Sequence, residues 1–237
     1  MLRAGKFPVV TNGSARQTRR TLLRYYRRLL RHFGPQHWWP ARTRFEMILG
    51  ALLTQNTSWS NVERALANLR RARALTPKKL GQFSTSSLAR LLRPAGYFRQ
   101  KARYVARFVR HLNGSNGSSV ARLLRGSTEE LRAELLALPG IGPETADSIL
   151  LYAARRPVFV IDAYTRRVLA RHGLAHENPS YDDLQDFFHR NLAADAKLFN
   201  EFHAQLVAVG KNFCHKRNPD CAACPLAPEL EPAHARA

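Results

Sequence analysis

The ten residues from Leu138 to Asp147, Leu-Pro-Gly-Ile-Gly-Pro-Glu-Thr-Ala-Asp, leave the backbone few choices. Two glycines flank an isoleucine and permit a tight turn, and Pro143 directly after them suits the first position of a helix. Downstream, Ala146, Ile149, Leu150 and Ala153 recur at helical spacing and form one apolar stripe. Upstream, Ser127-Thr128-Glu129-Glu130 reads as a capping box opening a short helix that carries Leu131, Leu135 and Leu136. The spacing predicts helix, glycine hairpin, helix. Such a hairpin turns backbone N–H groups outward at a helix N-terminus, which suits an anion such as a phosphate. Glycine turns also join helices that hold no ligand, so the rest of the chain has to decide between the two.

Helical patterns dominate elsewhere. A helix is expected over Gln17–Phe33, with apolar Leu22, Leu23, Tyr26, Leu29 and Leu30 and an arginine-rich face, ended by Gly34-Pro35. Trp38-Trp39-Pro40 precedes an apolar helix from Phe45 to Leu53. The small polar segment Thr54-Gln55-Asn56-Thr57-Ser58 then leads to a helix over Asn61–Arg71. A polar loop after a buried helix can reach a ligand, although most such loops only connect. Short helices begin at Thr76-Pro77 and at Ser84 or Ser86. Pro94-Ala95-Gly96 breaks the chain before a helix over Tyr97–Leu112. Its Arg99, Lys101, Arg103, Arg107 and Arg110 form a solvated or phosphate-contacting surface around apolar Ala102, Val105, Val109 and Leu112. Asn113 to Ser119 reads as a flexible loop. Val158-Phe159-Val160-Ile161 is a buried strand or, the preferred reading, an extended link through the core, and Asp162 after it suits the cap of a helix over Ala163–His172. Further helices are expected from Pro179-Ser180 to Asn191 and over Ala196–Lys211. No strand alternation and no internal repeat stands out, so the fold class is all-α.

With 237 residues the chain can form one large or two small domains. Its formal charge of +21 points to a polyanionic partner, nucleic acid first, although an excess of arginine spread along the whole chain does not locate a site. No apolar run approaches the roughly 20 residues of a membrane span. Residues 1–18 are basic and poor in acids, which leaves an organelle transit peptide open; they lack the apolar core of a secretory signal. All three cysteines fall in Cys214-x6-Cys221-x2-Cys224. That clustering argues against a secreted disulfide framework and for a reducing compartment, with the thiolates converging on a soft metal centre, iron–sulfur or zinc. No fourth cysteine follows; His215, His234, Glu229 and Glu231 are the nearby donors. Lys216 and Arg217 lie in the loop that the first two cysteines would close and place positive charge there.

Four motifs in one order make the chain similar to the endonuclease III branch of the helix-hairpin-helix DNA glycosylases, over residues 40–226. Leu138–Ala146 resembles the family hairpin, and Val160-Ile161-Asp162 the link carrying its catalytic aspartate. Cys214–Cys224, with Val209-Gly210-Lys211 before it, resembles the iron–sulfur loop. Leu53-Thr54-Gln55-Asn56-Thr57 resembles the loop whose glutamine enters the DNA stack. The resemblance implies a two-lobed endonuclease III-like fold. Residues 36–156 would form a six-helix barrel with the hairpin. Residues 1–35 and 157–237 would form a second helical lobe with the cysteine loop, DNA lying in the cleft between lobes. It implies a 4Fe-4S cluster at Cys214, Cys221 and Cys224, and a monovalent cation held by hairpin carbonyls. Gly140, Ile141, Gly142, Thr145, Gln55, Lys216 and Arg217 would contact DNA. A cytoplasmic, nucleoid-associated monomer acting on double-stranded DNA with a damaged base is expected, with no membrane partner.

In bifunctional members a lysine stands where this chain has Glu144. A carboxylate cannot form the Schiff base of a lyase. The pattern Gly-Ile-Gly-Pro-Glu-Thr-Ala-Asp resembles the 3-methyladenine DNA glycosylase III subgroup, which implies monofunctional hydrolysis at an alkylated purine. Asp162 and Glu144 are the expected catalytic residues, although an acid at a helix start also stabilises the helix dipole. Asp162 would face the sugar of an extruded nucleotide, Gln55 would fill the vacated stack, and Trp38, Trp39, Trp59 and Tyr152 are the aromatic candidates for stacking on the flipped base. The alternatives are a bifunctional enzyme for oxidised pyrimidines using another amine such as Lys211, a uracil or mismatch glycosylase, and a non-catalytic DNA-binding module.

Overall fold

The computed structural model describes residues 14–175 and 178–230, and these are all-α, with no strand among them. Of residues 1–18, whose composition leaves a transit peptide open, the first thirteen lie outside the described residues, as do the donors Glu231 and His234. The chain divides into two compact units, one made of residues up to Trp38 together with Pro157 onward, the other of Trp39–Arg156.

In the first unit α1 (Ala15–Phe33) is capped by Ser14, whose hydroxyl accepts from the Gln17 N–H, and it buries Leu22, Tyr25 and Leu29. The second unit follows with α2 (Arg44–Leu53), α3 (Trp59–Arg71), α4 (Pro77–Leu80), α5 (Thr85–Leu91) and a 3-10 turn at Arg93–Ala95. Then come α6 (Phe98–Ser115), α7 (Val120–Leu123), α8 (Thr128–Leu136) and α9 (Pro143–Ser148), which runs into a π-helical turn at Ile149–Ala153. The first unit resumes with α10 (Ala163–Arg171), α11 (Tyr181–Asn191) and α12 (Ala196–Asn212).

Most starts obey their caps. Ser127 and Ser180 each complete a capping box, with Glu130 and Asp183 respectively. The predicted flexible loop at Asn113–Ser119 is shorter than expected. α6 continues to Ser115, and Asn113 and Asn116 are tied down, donating to the Pro77 carbonyl at 3.2 Å and to Glu134 Oε1 at 3.4 Å. Ser119 then caps a short helix that the sequence pattern did not reveal. The first difference comes with long-range bonds from Asn113 and Asn116, which local composition does not contain.

Lys101 is a second correction. Instead of joining the basic surface of α6, it is 2% exposed and donates to the Ala95 carbonyl at 2.7 Å. It thereby satisfies a carbonyl at the end of the 3-10 turn. Burial pushes its pKa down to about 8. Between that value and the ordinary 10.5 the unfolded chain holds a proton that the native one has released. Stability therefore rises with pH through this window. Thermal melts of the wild type and Lys101→Met are expected to converge as pH goes from 8 to 10, the native charge penalty on the lysine being relieved. A constant difference in Tm across that range would contradict the burial effect.

In the first unit α10 crosses α12 at Gly210. A Cβ there would lie 2.4 Å from the Tyr164 ring, so a bare backbone is required at the crossing. Arg167 fixes the same contact, donating to the Cys214 carbonyl at 2.6 Å and the Gly210 carbonyl at 3.1 Å.

Candidate functional site

The hairpin between α8 and α9 is built as the sequence predicts. Gly140 sits at φ +95°, in the region that side chains avoid, and a Cβ there would come within 2.2 Å of the Tyr104 ring. Ile141 turns inward and is buried, which anchors the loop. Gly142 is exposed, and a Cβ there would meet nothing within 4 Å, so the N-terminus of α9 opens to the surroundings. Behind the turn, Arg132 of α8 donates to both oxygens of Asp147 in α9, at 2.7 and 3.2 Å. This bidentate pair holds the two helices at a fixed angle; the Asp147 side chain is fully buried. Its fifteen-residue separation is why no local pattern disclosed it.

Gln55 has a definite place. Its Nε2 donates to the Gly140 carbonyl at 2.8 Å and to Thr145 Oγ1 at 3.1 Å. The loop after α2 is thus fastened to the hairpin, and Thr145, buried at 7% exposure, supports the turn from behind. Glu144 is exposed in the first turn of α9, and its carbonyl accepts from Ser148 Oγ at 2.7 Å.

Three of the four singled-out aromatics meet. Trp39 packs edge-on to Trp59 with centroids 5.0 Å apart, and against Tyr152 at 5.1 Å. Tyr152 lies on the π-helical turn, an irregularity often kept where it aims a side chain. Trp38 belongs to the other unit, where Lys211 Nζ stands over its ring at 5.3 Å. One aromatic was missed by sequence reasoning. Tyr97 is 69% exposed and held at φ 44° as the N-cap of α6, next to exposed Arg99 and Arg103. A strained, exposed ring marks a functional candidate; the available signal was Gly96-Tyr97 directly before a basic helix.

In the first unit Asp162 does what local pattern predicts and more. Its Oδ1 caps α10, accepting from the Thr165 N–H at 2.7 Å. Its Oδ2 points elsewhere and lies 3.7 Å from His203 Nε2 of α12. The carboxylate is therefore not consumed by main-chain amides, and its side chain keeps 13% exposure.

Cys214, Cys221 and Cys224 line one cavity together with Asp220, Arg171, Leu226 and Leu230. Arg171 donates to Cys214 Sγ at 2.9 Å. Burial is the main cause that pushes the Cys224 thiol up to about 11. Glu229, a candidate donor, is instead held by Arg24 and Arg28 of α1 at 2.9 and 2.8 Å. His215, Lys216 and Arg217 are exposed. Among the described residues no group of three or more His, Cys, Asp or Glu side chains is arranged to hold a metal ion. Against the expected four-ligand cluster the cavity offers three thiols, the Cys214 sulfur bonded to the Arg171 guanidinium, with His172 and Asp220 also on its lining.

A family model described as HhH-GPD superfamily base excision DNA repair protein matches residues 49–193. MJ1434, a DNA repair glycosylase candidate of Methanocaldococcus jannaschii, is 42% identical over 207 residues, which cover 86% of this chain and 93% of that protein. Endonuclease III of Sulfolobus acidocaldarius is 29% identical over 77% of this chain and 79% of its own length. The H. pylori 3-methyladenine DNA glycosylase MagIII, solved with 1,N6-ethenoadenine, is similar at 30% identity and a TM-score of 0.69, covering 82% of this chain and 97% of that one. A non-covalent endonuclease III–DNA complex matches in fold at a TM-score of 0.77 and 21% identity, over 92% and 96% of the two chains.

Proposed function

Because this chain belongs to the HhH-GPD superfamily of base excision DNA repair proteins, we propose that it is a monofunctional DNA glycosylase that hydrolyses the N-glycosidic bond of an alkylated purine. The observation that carries the hydrolytic half is Glu144 at the first turn of α9, where a lyase would need an amine to form an imine. The likeness to a 3-methyladenine glycosylase at 30% identity supports the purine half.

The residues divide the work. The open N-terminus of α9 at Gly142 presents backbone N–H groups to a phosphate, a grip that positions DNA without reading sequence. A base buried in the stack has to leave it before its C1′ can be attacked. The exposed ring of Tyr97 and the amide of Gln55 are the groups suited to occupying opened stacks, Gln55 after leaving Gly140. The Trp39, Trp59 and Tyr152 rings offer faces to an electron-poor, cationic base. Such a base is already a good leaving group. It departs with the bonding electron pair, positive charge grows on the sugar, and water adds its oxygen to C1′. A carboxylate at Asp162 stabilises that charge and takes the water's proton.

The test is single-turnover base release from duplexes carrying alkylated, deaminated or oxidised bases, with and without borohydride. Free 3-methyladenine with no trapped protein–DNA adduct is expected. A trapped adduct would move the assignment to a bifunctional enzyme, with Lys211 the first amine to replace. Tight duplex binding with no base released from any substrate would leave a DNA-binding module.

A further inference from the structure

Asp162 has two oxygens and the cap of α10 uses one. What faces the other is a residue that no local pattern selects. His203 lies in the middle of α12 at 5% exposure, among Phe199, Phe202, Ala204 and Leu206 on a helix whose buried residues are otherwise largely apolar. Its Nε2 is 3.7 Å from Asp162 Oδ2, beyond a hydrogen bond as it stands and within about 0.5 Å of one. Its ring also lies against Phe159 of the extended link, with centroids 6.4 Å apart, so link and helix set its orientation together. Charged groups on these elements are engaged elsewhere, while the Thr165 hydroxyl of α10 is buried without a hydrogen-bond partner. Glu201 accepts from Gln205 and from the Gln36 N–H. Arg166 and Arg167 of α10 donate to the carbonyls of Pro179, Cys214 and Gly210.

We propose that His203 is a positioning residue for Asp162, its Nε2–H directed at the oxygen that the helix cap leaves over. With Oδ1 on the Thr165 N–H and Oδ2 toward the imidazole, the carboxylate is approached from two elements. Burial lowers the His203 pKa and the Asp162 charge opposes that only in part, so the ring is neutral at pH 7. A neutral donor orients the carboxylate without cancelling its charge, which a sugar cation needs. The catalytic consequence rests on the glycosylase reading; the pairing does not.

Two measurements separate these. Nitrogen-15 NMR of the full chain without DNA reads the His203 tautomer, and the Nε2–H form is expected at pH 7. A neutral ring protonated on Nδ1 overturns the proposal whatever the enzyme does. Base release is then compared for wild type, His203→Phe and His203→Gln. His203→Phe is expected to slow single-turnover release by about tenfold to hundredfold, the usual effect of removing the partner that orients a working group, with affinity for lesion-free duplex unchanged. His203→Gln keeps an N–H and is expected to recover most of the rate. Wild-type turnover in His203→Phe, or equal losses in both variants that track a lowered Tm, overturns the positioning role. If the wild type releases no base from any duplex while the Nε2–H tautomer is found, the glycosylase reading fails and the pairing stands.

Discussion

Asp162→Asn is expected to lower single-turnover base release by about 10²- to 10³-fold, the loss typical of removing one electrostatic stabiliser from a transition state, while leaving the fold intact. The choice of asparagine matters because Asp162 has two jobs. Its Oδ1 caps α10 through the Thr165 N–H, and asparagine is as good an N-cap as aspartate. The amide oxygen can still accept that bond, so the helix start survives and only the negative charge is lost. Alanine would remove both, adding about 0.5–2 kcal/mol of lost capping to any catalytic effect. Matched Tm values for wild type and Asp162→Asn, with a large drop in rate and little change in duplex affinity, would tie the carboxylate to chemistry. Undiminished turnover by a well-folded Asp162→Asn would sink the assigned role.

The second large effect is expected at the hairpin, and it is one of folding. Gly140→Ala meets two obstacles together. Its φ of +95° is unfavourable for a side chain, and the new Cβ would lie within 2.2–2.5 Å of three carbons of the Tyr104 ring. Backbone strain of about 1–2 kcal/mol and overpacking of about 1–3 kcal/mol give a loss on the order of 3 kcal/mol, roughly 10 °C in Tm for a chain of this size. Gly142→Ala is the control. A Cβ there meets nothing within 4 Å, so Tm is expected to hold. The methyl group would stand instead where a phosphate has to approach the N-terminus of α9, and duplex affinity is expected to fall. An unchanged Tm in Gly140→Ala, or unchanged duplex affinity in Gly142→Ala, would show that the two glycines do not divide the work this way.

The contrast between these glycines shows what could be read without coordinates. The pair Gly140 and Gly142 announced a tight turn, and Pro143 the start of α9, because both act through the local backbone. The sequence did not say which glycine is there for the fold and which for access. That depends on Tyr104, brought from α6 by the folding of the unit. The same division holds for the other candidate residues of each unit. Asp162 was legible as a cap and as a family aspartate, but its second neighbour, His203, lies 41 positions away on α12. Gln55 was legible as a loop residue that could reach DNA, while its bond to the Gly140 carbonyl joins segments 85 residues apart. Lys101 was misread because periodicity counts a lysine as polar and cannot see a buried carbonyl waiting for it.

The amino-acid sequence by itself determined an all-α chain, the glycine hairpin with its capped flanking helices, the acid at the head of α10 and the glutamate in the first turn of α9. Each is written in residues a few positions apart, where propensity, capping and backbone sterics act. Only the tertiary structure decided that Arg132 staples the hairpin through Asp147 and that Trp39, Trp59 and Tyr152 share one cluster. It alone placed three cysteines around one cavity that Arg171, His172 and Asp220 also line. Those arrangements depend on side chains that meet after distant segments pack, and no short window of sequence contains both partners.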